Sequence, residues 1–196
     1  MNIKQQKQIK SYLIAQFGEQ KGKALSDSQS ETLSEIIGNT KNKTENQMKT
    51  LTQTILPRIA LYKALQKGGF SEEDVYRYTQ KYMIEIVAAK KHSSTAKMEI
   101  VPGFYSIYSK TFLKIMKTTD LQVSTQNSGK DFYDITITEC LWHTACLENG
   151  CEELCRLFCD VDDVTYGGLK KLGFTRTQTL GYGGDRCDFH FFRKQK

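Results

Sequence analysis

The hydrophobic period of the chain changes after Asp120, and this change limits the folds open to it. Before that point apolar residues recur every three or four positions: Leu51, Ile55, Ile59, Tyr62 and Leu65, then Val75, Tyr78, Tyr82, Ile86 and Ala89, then Phe104, Ile107, Phe112, Ile115 and Met116. That spacing puts an apolar stripe on each of several helices. After it, Phe132–Cys140 alternates apolar residues with Asp134, Thr136 and Thr138, the two-residue period of a half-buried strand. Helices gathered early and antiparallel strands gathered late predict an α+β fold, with N-terminal helices packed on a small antiparallel sheet of about four strands.

Local signals place the elements. Ile9–Phe17 reads as a helix stopped by Gly18, and Ser28–Ile37 as a second stopped by Gly38, with a polar stretch to Lys49 as the one plausible linker. A helix from Met48 to about Lys67 contains Pro57, which either kinks it or opens a new helix. Ser71 followed by Glu72, Glu73 and Asp74 is a helix start that suits the dipole, and the stripe runs on to about Lys91. A further helix spans the region from Pro102 to Lys117. Strands at Gln122–Thr125 and Phe132–Cys140 form a hairpin, helices follow at Trp142–Leu147 and Glu152–Asp163, and a last hairpin pairs Phe174–Leu180 with Arg186–Phe192.

With 196 residues, 39% hydrophobic, the chain is expected to form one domain, residues 1–45 being a helical extension of an α+β core at 46–196. No apolar run is long enough to span a membrane, and Tyr12–Phe17 is too short for a signal-peptide core, so a cytoplasmic protein without a membrane partner is expected. The net charge of +6 divides as +3 over residues 1–50, +5 over 51–120 and −2 over 121–196. Lys110, Lys114 and Lys117 recur at helical spacing among apolar residues, as on a solvated helix face, and no nucleic-acid partner is expected. Aromatic and basic residues between Tyr76 and Lys91 offer a face for a possible homodimer.

All six cysteines (Cys140, Cys146, Cys151, Cys155, Cys159, Cys187) lie in the last third of the chain, with the only tryptophan. In a reducing cytosol they are expected to be free rather than bridged. Cys151, Cys155 and Cys159 repeat every four residues, but on a helix the first and last stand about 12 Å apart along the axis, too far for one ion. No metal and no cofactor are expected, and Cys151 and Cys155 read as small buried residues.

Thr138-Glu139-Cys140, Leu157-Phe158-Cys159-Asp160, Thr175 to Leu180 and Gly183-Gly184-Asp185-Arg186-Cys187-Asp188-Phe189 follow one another in an order that resembles the L-2-amino-thiazoline-4-carboxylic acid hydrolase family. The helix Pro57–Leu65 is similar as well, so the resemblance covers about residues 50–192. It implies hydrolytic opening of a 2-amino-thiazoline carboxylate to an N-carbamoyl-cysteine product. That reaction needs a nucleophile, a proton for the departing group and an anchor for the carboxylate. Cys159, Asp160, Cys187, Asp188 and His143 are the candidate catalytic residues. Either a thiolate attacks, or a carboxylate deprotonates water. Arg58, Tyr62, Arg176 and Cys140 are the candidate residues for binding a small-molecule substrate, the arginines as clamps on its carboxylate. A non-catalytic small-molecule binding domain of the same fold is the competing reading.

Overall fold

The structure, a computed structural model, describes residues 3–195. Contacts divide the chain into two compact units, one of residues up to Tyr82 with Ala145–Leu154, the other of Met83–Thr144 with Cys155 onward.

The first unit is helical: α1 (Ile3–Phe17), α2 (Glu19–Asn39), α3 (Glu45–Thr50), α4 (Leu56–Lys67) and α5 (Glu72–Lys81). Helix α2 starts nine residues earlier than the predicted Ser28, and Gly22 explains why the two helices run so long side by side. A Cβ at Gly22 would stand 2.5 Å from the Ile14 Cα, so only glycine lets α1 and α2 approach. The Gln29 amide donates to the Pro57 carbonyl at 3.0 Å, tying α2 to α4. Residues before 46 are thus part of this unit's packing. The predicted Ser71 cap is present, its hydroxyl accepting from the Asp74 N–H at 3.2 Å. Pro57 does begin a helix, and the turn ahead of it, Leu51–Ile55, is widened to a π-helix. Proline has no N–H to close the ladder and its ring crowds the carbonyl four residues back, which loosens the preceding turn.

The second unit holds α6 (Ala89–Met98), α7 (Phe104–Thr118), β1 (Gln122–Ser128), β2 (Phe132–Cys140), most of α9 (Leu154–Tyr166), β3 (Leu172–Thr175) and β4 (Cys187–Arg193). Between β2 and α9 the short helix α8 (Leu141–Glu148) runs from this unit into the first. The sheet is antiparallel in the order β1-β2-β4-β3, with Ile137 opposite Cys187 and Tyr133 opposite Phe191. One α+β chain with four strands is what the change of period predicts. A register shift between Val123 and Ser124 interrupts the alternation of β2 after Ile137, so Cys140 is half-buried where strict alternation would expose it.

The strand predicted at Phe174–Leu180 is shorter. Only Leu172–Thr175 pairs with β4, because the next backbone N–H groups are taken by a side chain instead of a strand: Thr177 and Gln178 donate to the Asp188 carboxylate at 2.8 and 2.9 Å. Upstream, the buried Glu99 carboxylate accepts from the backbone N–H groups of Lys170, Lys171 and Leu172, which anchors the start of β3 to the end of α6.

Phe191 is the hub of this unit's core. Fully buried, its ring lies 4.7 Å from Phe174, 4.8 Å from Tyr133, 5.0 Å from Tyr166 and 5.3 Å from Phe112, which joins sheet, α7 and α9. Replacing Phe191 by Ala is expected to lower the unfolding free energy by about 3–5 kcal/mol in denaturant titration, and Phe191→Leu by clearly less. Equal losses would show that ring packing is not what this position supplies.

Candidate active site

Seven of the nine residues singled out from the sequence lie in the second unit: Cys140, His143, Cys159, Asp160, Arg176, Cys187 and Asp188. Arg58 and Tyr62 lie in the first, on α4. Arg58 is buried, and burial lowers its pKa against the opposing influence of nearby Tyr82. Tyr62 donates its hydroxyl to the Glu153 carboxylate at 2.5 Å, and burial together with that bond raises its pKa.

In the second unit the site is built on the inner stripe of α9. Cys155, Cys159, Asp162 and Tyr166 follow one another at spacings of four, three and four, so they share one helix face. The loop from Arg176 to Arg186 lies over that stripe. Gly181 is its closest point, since a Cβ there would meet the Cys159 Sγ at 2.8 Å and the Cys155 carbonyl at 3.1 Å. Asp188 holds the loop. Its carboxylate accepts two backbone N–H groups and the Thr177 hydroxyl, and although burial works to raise its pKa, those hydrogen bonds outweigh it and hold it below the ordinary value. Asp188 is committed to this clamp.

Asp160 accepts from the Tyr182 hydroxyl at 2.7 Å at the outer end of the loop. His143 is half-buried in the first turn of α8, and its backbone N–H, with that of Trp142, donates to the Cys140 sulfur. Burial still pushes Cys140 up to about 12. Cys159 is raised further by sharing a hydrogen bond with the Cys155 thiol and by burial, with only the Thr179 hydroxyl opposing. Cys187 is raised by burial, against the Leu180 N–H at 3.4 Å and the charge of Arg176. All three are therefore protonated at neutral pH, and none is an activated thiolate. None of the six cysteines is in a disulfide, and among the described residues no group of three or more His, Cys, Asp or Glu is placed to hold a metal ion.

Arg176 gives the site its charge. Its side chain is only 9% exposed; Nη2 pairs with the Asp163 carboxylate, while Nη1 is buried without a hydrogen-bond partner in the protein. Burial raises the Asp163 carboxyl above its ordinary value despite that pair. Asp162 is pushed up to about 6 by burial, against the charges of Lys91 and Arg176. The site thus pairs an unfilled guanidinium donor with a carboxyl that titrates close to neutrality. Asp162 and Asp163 are not among the nine residues singled out from the sequence. The missed signal was the stripe itself, which continues past Cys159 through Asp162 to Tyr166.

A carboxyl raised in the fold favours its protonated form. Its stabilising contribution is complete below the unfolded value of 3.8 and is lost as pH rises through about 6. Asp162→Asn is therefore expected to raise Tm relative to the parent at pH 7.5 and to leave the two nearly equal at pH 4, measured by thermal melting. The same Tm difference at both pH values would mean that Asp162 titrates normally.

No curated protein matches the chain in sequence. Among solved structures it is similar to an Fe(II) unliganded H-NOX protein from K. algicida, at 8% identity and a TM-score of 0.35, over 100% of this chain and 98% of that one. It is also similar to an H-NOX protein from S. oneidensis in the Fe(II) ligation state, at 11% identity and a TM-score of 0.35, over 96% of this chain and 94% of that one. Those scores are too low for a shared fold, or anything those proteins bind, to be read across. The model of the L-2-amino-thiazoline-4-carboxylic acid hydrolases matches residues 47–191, which include α4, the β1–β2 hairpin, β3, β4 as far as Phe191 and every residue of the site just described. With 145 of 196 positions inside that match, the chain belongs to the L-2-amino-thiazoline-4-carboxylic acid hydrolase family.

Proposed function

We propose that the protein is a cytoplasmic hydrolase that opens a small 2-aminothiazoline-4-carboxylate-like ring. The carrying observation is the buried, unpartnered Nη1 of Arg176 beside Asp162, whose carboxyl is pushed up to about 6. In this reading Arg176 anchors the substrate carboxylate through charge-assisted hydrogen bonds. Asp162, ionised at neutral pH, takes a proton from water as its oxygen adds to ring carbon C2. The π pair of the C2=N bond moves to the ring nitrogen, which takes up that proton from Asp162; the C2–S bond then breaks as the added hydroxyl becomes the carbonyl, its proton passes by way of Asp162 to the departing sulfur, and the product is an N-carbamoyl-cysteine with a free thiol. One water is consumed and no electrons are transferred.

The raised thiols support water rather than a thiolate as the nucleophile, and Cys187, which feels both Arg176 and Asp162, is a protonated neighbour of that pair. Asp160 and Cys159 border the same loop, and these two with His143 stay as candidates for shaping the site.

A second reading, a non-catalytic binding domain, is favoured by one observation. The Tyr105 and Tyr133 hydroxyls are buried in the aromatic core of the second unit without a hydrogen-bond partner, as polar groups awaiting a ligand would be.

Incubation with L-2-amino-Δ2-thiazoline-4-carboxylate, following release of the new thiol, tests the proposal. Turnover is expected, with kcat/KM rising through about pH 6 as Asp162 ionises. Asp162→Asn should lower kcat by about 10²–10⁴-fold, and Arg176→Gln should raise KM by about 10- to 100-fold. Full turnover in Asp162→Asn removes the assignment of the base. A rise in Tm with this compound but no thiol release supports the binding domain.

A further inference from the structure

The outward face of α7 is the feature of the second unit that the proposed chemistry does not use. Ile107, Lys110, Thr111, Lys114, Ile115 and Thr118 are all exposed, at spacings of three, one, three, one and three, so they form one continuous stripe. Ile107 is 55% exposed and Ile115 48%, which is unusual for two branched residues on one stripe of a helix whose other face packs on the core. The turn leading into the helix continues the pattern: Ile100 is 81% exposed, flanked by exposed Met98 and Val101.

The charges on this stretch have one sign. Lys97, Lys110, Lys114 and Lys117 are all exposed, and the one acid between Lys97 and Thr119 is Glu99, whose carboxylate is buried and taken up by three backbone N–H groups. Asp120 follows only beyond the helix end. A solvated face, as the lysine spacing alone suggests, does not need exposed isoleucines between the lysines.

We infer that α7 and the turn before it form a peripheral docking face for an anionic lipid surface, the isoleucines entering the headgroup boundary and the lysines lying among the phosphates. Charge complementarity requires an anionic partner. A second copy of this chain would bring lysine against lysine with no acid to pair. An acidic protein would be expected to fill a central pocket, whereas here single aliphatic side chains stand about 12 Å apart along the helix, which suits a fluid plane. Among the described residues no helix is long and apolar enough to cross a membrane, and peripheral binding needs none. This docking face would bring in a membrane partner that the sequence does not lead one to expect, since a missing spanning segment says nothing of surface binding. It stands apart from the hydrolase reading.

The test is co-sedimentation of the full chain with vesicles of phosphatidylcholine alone and with about 30% phosphatidylglycerol. The protein is expected to sediment with the anionic vesicles only, and to be released as salt rises from about 0.05 to 0.5 M. Lys110→Gln and Lys114→Gln should each weaken partitioning about fivefold, and Ile107→Ser with Ile115→Ser should abolish what salt does not. All four positions are exposed, so unchanged melting temperatures confirm that the variants fold. Equal sedimentation with both vesicle types, or full binding by the lysine variants, overturns the inference. Binding to polyglutamate in place of vesicles overturns it too, in favour of an acidic protein partner.

Discussion

The carboxylate of Asp188 decides where the chain goes between its last two strands. By accepting the backbone N–H groups of Thr177 and Gln178 it takes the donors that would have extended β3, so the strand ends at Thr175 and the chain turns over α9. A backbone N–H drawn away from a strand ladder needs another acceptor, and one ionised side chain next to Cys187 supplies it for both residues. The positions of Arg176, Thr179 and Gly181 over the helix all follow from that arrangement. The aromatic core beneath, centred on Phe191, holds β4 and α9 as the fixed support for it.

The electrostatic character of the site follows from which groups share this cover. Cys140, Cys159 and Cys187 lie near enough to Cys155 to feel it, and burial raises all three, outweighing at Cys187 the opposing charge of Arg176. Arg176 makes its ion pair with Asp163 on α9, which leaves a pair of carboxyls raised by burial and a guanidinium with a donor to spare. Such a site has the character of proton-transfer chemistry on water more than of covalent thiol chemistry.

Much of this fold is written in the period of the sequence. The stripes from Leu51 to Met116 and the alternation in Phe132–Cys140 mark the α7 helix and the β2 strand closely, and Ser71 with three acids after it marks the start of α5. What the sequence hides is tertiary. Gly22 looks like a helix breaker until a neighbouring helix requires the missing Cβ, and Thr177 to Leu180 looks like a strand until Asp188 takes its donors. In the site, the motif Cys-Asp drew attention to Asp160 and Asp188, yet one of them bonds a surface tyrosine and the other clamps a loop. Asp162 carries the altered chemistry because it continues the buried stripe, and burial is a property of the face, not of the neighbouring letter.

The most direct measurement is the titration of the Asp162 carboxyl carbon by 13C NMR, with Asp162→Asn identifying its signal. A midpoint near 6 in the free protein, moving upward when the thiazoline carboxylate engages Arg176 and offsets its charge, is what this account predicts. A midpoint near 4 that the compound leaves in place would contradict it.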